Sequence, residues 1–317
     1  MGQTTGISWT DHTFNPHIGC AKVHAGCAHC YAERDFDTRR GVAEWGPNGT
    51  RIITSSANWK QPLKWNRDAE AVGQRRRVFC ASLADVFESW IGPVHRGGDV
   101  LAKPYLESEN RMENWIQTTA EDLQRDPQGW RQVELQDVRN ELFRLIDSTP
   151  WLDWLLLTKR PENIRSMWPA FVSEVMPLNH HRGNVWLGTS VSDQETAERM
   201  IPHLVKCSDL SPVLFLSAEP LLDRIDLRFN VVGEPTGKCV AFSVSAIEAV
   251  HWVIAGGESG PKFRQMMTDD VRRLRDQCTQ AGVPFFFKQW SGANPKLLGK
   301  ELDGREWCEC PNVKVSI

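Results

Sequence analysis

Short apolar runs recur along the chain, each ending in small or polar residues and each followed by a pattern typical of a helix. Runs that are apolar throughout, rather than alternating, are expected for the strands of a parallel sheet covered on both faces. A first strand is expected within Ile7–Ile18. Six further strands are predicted: Arg77–Ala81, Trp154–Thr158, Val185–Thr189, Val213–Ser217, Trp252–Ala255 and Pro284–Phe287.

Amphipathic segments between these runs predict helices. They are Cys30–Arg40, Arg131–Asp147, Pro161–Trp168, Gln194–Leu204 and Thr268–Ala281. A strand followed by a helix, repeated along the chain, is typical of parallel α/β folds. We therefore predict an α/β fold built as a (β/α) barrel, complete or partial and TIM-like, with helical and loop insertions.

The length of 317 residues suits one large domain, because α/β barrels of about 250 residues form a single core. We place the barrel in residues 1–290 and interpret residues 291–317 as a C-terminal extension. Two segments, Ile91–Gly129 and Arg224–Ile247, are interpreted as insertions into the barrel.

Composition excludes some classes of protein. No apolar run reaches the roughly 20 residues that a membrane span needs, so no membrane partner is expected. The N-terminus lacks the basic and apolar regions of a secretory signal, which predicts a cytoplasmic location. The net charge of -3 argues against broad electrostatic capture of nucleic acid but is compatible with a local basic groove.

Cys20, Cys27 and Cys30 form a C-x6-C-x2-C cluster near the N-terminus. The chain has nine cysteines, an odd number, and in a reducing compartment cysteines serve as ligands or buried thiols more often than as disulfides. Structural zinc sites and four-cysteine iron–sulfur clusters fill every metal position, whereas three thiolates leave one position open to a reacting ligand. The cluster therefore favours an enzyme with an open iron.

Polar side chains follow the predicted strands. Because active sites of such barrels gather at the carboxyl ends of the strands, these side chains are expected to converge. Serine and aspartate there also fit helix caps, but lysine and glutamate are not capping types. The predicted ligand-binding bowl contains Ser82, Asp85, Thr158, Lys159, Arg160, Ser190, Ser192, Asp193, Glu219, Gly256, Gly257, Glu258, Lys288, Gln289 and Trp290.

Several segments together resemble the phage Gp37/Gp68 family, a family of unknown function with a three-cysteine motif that belongs with the radical S-adenosylmethionine enzymes. The resemblance rests on ISWTDHTFNPHIGC, GCAHCYAER, LLTKRPENI, NVWLGTSVSDQETAERMIPHL, LSAEPLL and WVIAGGESGPKFRQM. It covers nearly the whole chain outside the two insertions and implies a barrel of the radical S-adenosylmethionine type. The first cysteine interval, six residues, departs from the C-x3-C-x2-C spacing usual in those enzymes.

The resemblance implies that Cys20, Cys27 and Cys30 hold a [4Fe-4S] cluster whose open iron binds S-adenosylmethionine. An electron from a donor such as flavodoxin or ferredoxin would then give a 5′-deoxyadenosyl radical that abstracts hydrogen from the substrate. The implied cofactor-binding residues are His29, Ser82, Asp85, Ser190, Ser192, Glu219, Gly257 and Glu258. The implied catalytic or substrate-facing residues are Lys159, Glu219 and Lys288.

Three of these residues receive specific roles from the resemblance. His29, just before the third cysteine, is expected to stack on adenine. Asp85 stands where related enzymes carry the acidic residue that binds the methionine amino group. Lys159, or its neighbour Arg160, is expected to bind a carboxylate or phosphate.

Membership of a phage family implies a nucleic-acid substrate in the host-cell cytoplasm, with an amino-acid-substituted, hypermodified thymine of phage DNA as the leading hypothesis. The enzyme would isomerise or otherwise modify that substituent. Basic residues interleaved with tryptophan support this, since such stretches bind single strands or flipped bases. They are Trp59, Lys60, Lys64, Trp65, Arg67 and Arg75-Arg76-Arg77, which also fit a solvated charged face.

Two other functions fit the sequence. A DNA-repair lyase, similar to spore photoproduct lyase, would use the same cofactor to restore plain thymine. A non-catalytic zinc or iron–sulfur partner protein would close the site with His17, His24 or His29 as a fourth ligand. Cys308 and Cys310 form a C-x-C that would need further ligands to hold a second cluster.

Overall fold

The computed structural model describes residues 5–106, 110–125, 129–169, 181–233 and 242–313. Its strands are β1 (His12–Thr13), β2 (His17–Ile18), β3 (Arg51–Ile53), β4 (Arg76–Cys80), β5 (Val94–Arg96), β6 (Asp99–Pro104), β7 (Ile116–Thr118), β8 (Trp130–Gln132), β9 (Leu152–Thr158), β10 (Val185–Val191), β11 (Val213–Ala218), β12 (Asn230–Gly233), β13 (Phe242–Ser245), β14 (Trp252–Gly256), β15 (Phe285–Gln289), β16 (Glu301–Leu302) and β17 (Arg305–Glu306).

The helices are α1 (Tyr31–Glu33), α2 (Ser56–Ala71), α3 (Ala120–Arg125), α4 (Leu135–Asp147), α5 (Ile164–Met167), α6 (Gln194–Val205) and α7 (Thr268–Ala281). Short 3-10 turns cover Ala25–Cys27, Met112–Asn114, Pro161–Asn163 and Pro295–Leu298, and a π turn covers Arg34–Thr38. None of the helices in the described part of the chain is both long and apolar enough to span a bilayer.

Seven strands form one parallel sheet in the order β1-β4-β9-β10-β11-β14-β15. A second sheet has the order β2-β3-β5-β6-β7, with β8 paired to β6, and two small antiparallel pairs consist of β12 with β13 and β16 with β17. The second sheet borders the carboxyl end of the first, because β2 leads into Cys20 and β5 follows the carboxyl end of β4.

The six predicted apolar runs are confirmed as β4, β9, β10, β11, β14 and β15, and β1 lies within Ile7–Ile18. The predicted helix Thr268–Ala281 is confirmed as α7, and Gln194–Leu204 corresponds to α6. Three predicted helices differ from the structure. Pro161–Trp168 is a 3-10 turn, Pro161–Asn163, followed by the short α5. Arg131–Asp147 begins later, at Leu135, because the preceding residues pair as β8. After Cys30, a single α turn passes into the π turn.

The predicted TIM-like (β/α) barrel of the radical S-adenosylmethionine type is wrong. The parallel strands form an open, curled sheet, a half-barrel, and within the described residues no pairing joins β1 to β15. The outer edge of β15 is already used: Phe287 N donates to Trp307 O at 2.8 Å, and Glu309 N donates to Phe285 O at 3.2 Å. Because the C-terminal segment already occupies this edge, β15 cannot pair with β1 to close the sheet into a barrel.

The strand–helix alternation that a full barrel needs is also interrupted. In the described residues the antiparallel pair of β12 and β13, and no helix, lies between β11 and β14, and strands β5 to β8 of the second sheet lie between β4 and α4. The predicted insertion Ile91–Gly129 contains β5, β6, β7 and α3. Residues 234–241 of the other predicted insertion, Arg224–Ile247, lie outside the described residues.

The parallel sheet is apolar on both faces. One face packs against α4, α6 and α7 in the larger core. The opposite, concave face is filled mainly by aromatic rings, which support the floor of the half-barrel. This second core consists of Trp9, Phe79, Leu155, Trp186, Val213, Phe215, Trp252, Ile254 and Phe286.

A substitution at Gly188 in β10 would test the packing of this aromatic core. A Cβ placed there would lie 2.3 Å from Cζ of Phe215, whereas a Cβ at Gly98 would meet nothing within 4 Å. Overpacking of this kind costs about 1–3 kcal/mol. We expect Gly188→Ala to lower the free energy of unfolding by that amount in urea titrations, while Gly98→Ala changes it by less than about 0.5 kcal/mol. Equal midpoints for the two variants would contradict this packing.

Candidate active site at the carboxyl edge of the parallel sheet

A cavity of about 300 Å³ opens at the carboxyl ends of the parallel strands. Trp9 and Phe79 of the aromatic core form part of its floor. The structure brings most of the predicted site residues to this cavity. They are Cys20, Cys27, Cys30, His29, Ser82, Asp85, Thr158, Lys159, Arg160, Ser190, Glu219, Gly257, Glu258, Lys288 and Gln289.

The three cysteines approach the cavity from the segment between β2 and β3. His24 accepts a hydrogen bond from Gly26 N at 3.0 Å through Nδ1 and so caps the 3-10 turn that ends at Cys27. A Cβ on Gly26 would lie 2.3 Å from Oγ of Ser192, so only glycine allows this turn to pack so closely on the end of β10. Ser192 itself is fully buried and does not line the cavity.

A buried charge cluster of Arg51, Asp85, Glu88 and Arg160 lies beside Cys20. The Glu88 carboxylate accepts hydrogen bonds from Arg51 Nε at 2.7 Å and from Arg51 Nη2 at 2.9 Å. It also accepts a hydrogen bond from Arg160 Nη2 at 3.2 Å. Arg160 Nη1 donates to Asp85 at 3.0 Å. No local motif points to Arg51 or Glu88, because each becomes informative only through a partner far along the chain.

Asp85 is fully engaged by this cluster and its surroundings. One carboxylate oxygen accepts from Thr158 Oγ1 at 2.7 Å and Phe87 N at 3.0 Å, and the other accepts from Lys159 N at 3.0 Å besides Arg160. The carboxylate is buried. These contacts orient Arg160 and the end of β9. The binding of a methionine amino group by Asp85, which the resemblance implies, stays a prediction.

Glu219 and Lys288 form an ion pair on the other side of the cavity, with Nζ 2.9 Å from Oε1 of Glu219. Ser217 Oγ donates to the second oxygen of Glu219 at 3.0 Å, and Ser190 Oγ donates to the Glu219 carbonyl at 3.2 Å. Gly256 makes room for this carboxylate, since a Cβ there would lie 2.7 Å from Oε1. The ends of β10, β11 and β15 thus present a cation and an anion side by side.

Glu258 connects the cysteine segment to the loop after β14. Its carboxylate lies 3.0 Å from Nδ1 of His29 and accepts from Arg264 N at 2.7 Å and Arg264 Nε at 3.0 Å. Burial opposes ionisation of Glu258, but the hydrogen bonds from Arg264 and His29 outweigh it and lower the pKa of this carboxyl to about 2. Glu258 is therefore an anion at neutral pH that orients the His29 ring.

Asn15 is a site residue that the sequence did not reveal. Its side-chain carbonyl accepts from Ser82 N at 2.7 Å and Leu83 N at 2.8 Å, and its amide donates to Ser82 Oγ at 3.1 Å. Ser82 also binds the segment after the cysteines, since its carbonyl accepts from Tyr31 Oη at 3.0 Å. Asn15 thereby fixes the loop that follows β4 at the cavity wall.

Several predicted residues lie elsewhere. Of the three histidines considered as a fourth zinc ligand, only His29 lines the cavity; His17 is a buried residue of β2, and His24 accepts a hydrogen bond from Gly26 N. Asp193 caps α6 by accepting from Thr196 N at 2.8 Å.

The basic stretch expected to bind nucleic acid does not form a groove at the cavity. Trp59 and Trp65 are buried on the inner face of α2, where Trp59 packs edge-on against Phe14 and Trp65 stacks on His12. Arg75 donates to Asp153 at 2.6 Å. The expected aromatic readout from this stretch is therefore wrong, and the two tryptophans belong to the core.

Cys308 and Cys310 lie at the opposite end of the sheet from the cavity. Cys310 Sγ accepts from Arg77 Nη1 at 2.8 Å near the start of β4, and Cys308 pairs through its backbone with Phe286. The C-x-C thus belongs to the strand-like segment that covers β15. Within the described residues it has no neighbouring ligands for a second cluster.

The chemistry of the three site thiols fits a three-cysteine cluster. None is in a disulfide, and all three face one cavity that leaves space beside them. In the described residues no three His, Cys, Asp or Glu side chains are already gathered at metal-binding positions. Burial, together with Glu88 and Asp85, raises the pKa of Cys20 to about 12, so metal binding must displace the thiol proton.

Removal of the Asn15 side chain should loosen the loop after β4. Asn15→Ala removes the acceptor of two backbone donors, the part-buried Ser82 N and the buried Leu83 N, and the buried donor alone costs about 1–3 kcal/mol. We expect faster hydrogen exchange at these two amides and a lower unfolding midpoint. Asn294→Ala, at an exposed position, is the matched control and should change neither. Unchanged exchange at Ser82 and Leu83 in Asn15→Ala would contradict the assigned role.

A family model described as "Protein of unknown function (DUF5131)" matches residues 4–98 and 130–311. The unmatched residues 99–129 fall within the segment that carries β6, β7 and α3. No curated protein and no solved structure matches the chain. By the extent of the match, the chain belongs to this family of proteins of unknown function.

Proposed function

We propose that this chain is a radical S-adenosylmethionine enzyme of the kind the phage Gp37/Gp68 resemblance implies, and that it abstracts hydrogen from a modified DNA base. The observation that carries the proposal is that Cys20, Cys27 and Cys30 face a single cavity at the carboxyl edge of a parallel sheet. Ligands of open α/β sheets bind at this edge.

Cys20, Cys27 and Cys30 would hold a [4Fe-4S] cluster, which together with S-adenosylmethionine supplies a 5′-deoxyadenosyl radical when both are bound. The chain's own groups position the ligands around it. His29, oriented by the Glu258 carboxylate at 3.0 Å, presents a flat ring at the cavity wall. Such a ring suits stacking against a purine. The aromatic floor below, with Trp9 and Phe79, excludes water from the reacting end.

The Lys288–Glu219 pair supports a substrate with an amino-acid substituent. A cation and an anion 2.9 Å apart can exchange their mutual contact for contacts with the carboxylate and the amino group of such a substituent. Both side chains line the cavity and are partly exposed, at 25% and 13%, whereas Oε1 of Glu219 is buried beneath Lys288 Nζ. This pair is our candidate for orienting the hydrogen that is abstracted.

Lys159 is our candidate for anion recognition. Among the described cavity-lining residues, Arg160, Lys288 and Lys22 each have a carboxylate partner, whereas no ion pair or side-chain hydrogen bond involves Lys159 Nζ. An unpaired ammonium at the wall of an accessible cavity attracts a phosphate or carboxylate. In a DNA substrate the anion bound by Lys159 would be a backbone phosphate next to the flipped base.

The cleavage of S-adenosylmethionine tests the enzyme class. After anaerobic reconstitution with iron and sulfide, we expect dithionite and S-adenosylmethionine to give 5′-deoxyadenosine with the wild-type chain. Cys27→Ala should lower the yield at least about a hundredfold, because two thiolates leave the cluster one ligand short. Cys308→Ala, which removes an exposed thiol far from the cavity, should keep the wild-type yield. A wild-type protein that binds only zinc would contradict the proposal and favour a structural module.

Lys159→Met tests the anion site. With phage DNA that carries amino-acid-substituted thymine as the probe, we expect roughly a tenfold or greater loss of DNA-stimulated 5′-deoxyadenosine formation, the scale of one charge-assisted hydrogen bond. DNA-independent cleavage should stay unchanged. Lys296→Met, an exposed lysine outside the cavity, is the matched control. Equal DNA stimulation in both variants would contradict a role for Lys159 in substrate binding.

The mass of the DNA product separates modification from repair. Modification or isomerisation retains the added mass on thymine, whereas a repair lyase restores the mass of plain thymine. The proposal predicts retained mass by mass spectrometry of the digested DNA. Recovery of unmodified thymidine from a lesion-containing probe, with no change in substituted thymine, would replace the proposal with the repair function.

A further inference from the structure

Arg160, which follows β9, contacts both Cys20 and the residue after it. Its Nη1 lies 3.7 Å from Sγ of Cys20 and 3.0 Å from Asp85, and its Nη2 donates to Ala21 O at 2.8 Å. The side chain is 9% exposed. The guanidinium therefore touches both the sulfur and the backbone of the segment that carries Cys20.

Glu88 fixes the other side of the same peptide. Its Oε1 accepts from Ala21 N at 2.9 Å, so Ala21 is held through its N–H by Glu88 and through its C=O by Arg160. Glu88 is in turn held by Arg51, whose side chain is fully buried and lies over the Trp90 ring at 4.1 Å. The position of Cys20 is thus determined by side chains from β3, from the loop after β4 and from the end of β9.

We propose that Arg160 is a positioning residue that also sets the reduction potential of the iron–sulfur cluster, by donating to the Cys20 sulfur and by neutralising Asp85 and Glu88 next to it. The inference rests on the proposed function, because it concerns a cluster held by Cys20, Cys27 and Cys30. Hydrogen bonds to ligand sulfurs and nearby charges are the levers through which proteins tune such clusters.

The direction of the effect follows from charge. Reduction adds one electron, here from dithionite, and makes the cluster more negative by one charge. A cation beside a ligand sulfur stabilises that reduced form and raises the potential, whereas a carboxylate lowers it. Asp85 and Glu88 together carry two negative charges near Cys20. Loss of Arg160 therefore removes a cation and also leaves these two carboxylates with less positive charge to balance them.

The test is a redox titration of the reconstituted protein, followed by electron paramagnetic resonance of the reduced cluster. We expect Arg160→Gln to make the midpoint reduction potential more negative by at least about 59 mV. For a one-electron couple, this shift is a tenfold change in the ratio of reduced to oxidised cluster at a given potential. Arg160→Lys keeps the charge and should recover part of the shift. Arg165→Gln removes an arginine that pairs with Asp209 on the outer surface and should leave the midpoint unchanged.

Glu88→Gln gives the opposite sign and is the decisive second variant. It removes a negative charge while keeping the side-chain shape, so the midpoint should become more positive. A structural role alone predicts no reversal of sign between Arg160→Gln and Glu88→Gln. Should Arg160→Gln fail to fold, the positive shift in Glu88→Gln still tests the proposal.

The outcomes also separate this inference from the proposed function. If the wild-type chain takes up no iron–sulfur cluster, the proposed function fails. If the wild-type and both variants hold a full cluster with the same midpoint, the enzyme assignment stands and the role of Arg160 is overturned. If both midpoints move in the same direction, tuning by charge is likewise overturned.

Discussion

The pairing of Arg51 and Arg160 with Glu88 and Asp85 is the interaction on which the candidate site depends. All four residues are buried, and their charges are balanced two against two. Removal of one member of such a cluster typically costs about 3–5 kcal/mol, because a buried charge is left without a partner. The cluster joins the second sheet to the parallel sheet at the point where the chain enters the cysteine segment. The fold and the site therefore share one set of contacts.

The open form of the parallel sheet explains why the cavity is accessible. Aromatic side chains fill the concave face up to the level of Phe79 and Phe215, and polar cavity residues follow toward the carboxyl ends, with Ser217 two positions after Phe215 and Lys288 two positions after Phe286. The C-terminal segment supports this arrangement from the other end, where Trp252 Nε1 donates to Glu309 O at 2.8 Å. An apolar floor below a charged rim gives a site that is dry at its base and selective at its mouth.

The sequence predicted the strands well because most of them are buried on both faces, so that their apolar character is continuous and visible. It also predicted the end of α7, where Gly282 has φ 69 and closes the helix. It did not predict that the sheet stays open, since the contact of Trp307 and Glu309 with β15 has no local signal. The α2 helix was missed for a related reason. Trp59 and Trp65 pack inward, and only the structure separates a buried aromatic from one that reads nucleic acid.

The most direct measurement of the central claim is electron paramagnetic resonance of the anaerobically reconstituted, dithionite-reduced protein with and without S-adenosylmethionine. If Cys20, Cys27 and Cys30 hold a cluster with an open iron in the cavity, a reduced [4Fe-4S] signal appears and changes when S-adenosylmethionine is added. A cluster signal that is identical in the presence and absence of S-adenosylmethionine, at full iron and sulfide content, would contradict the account.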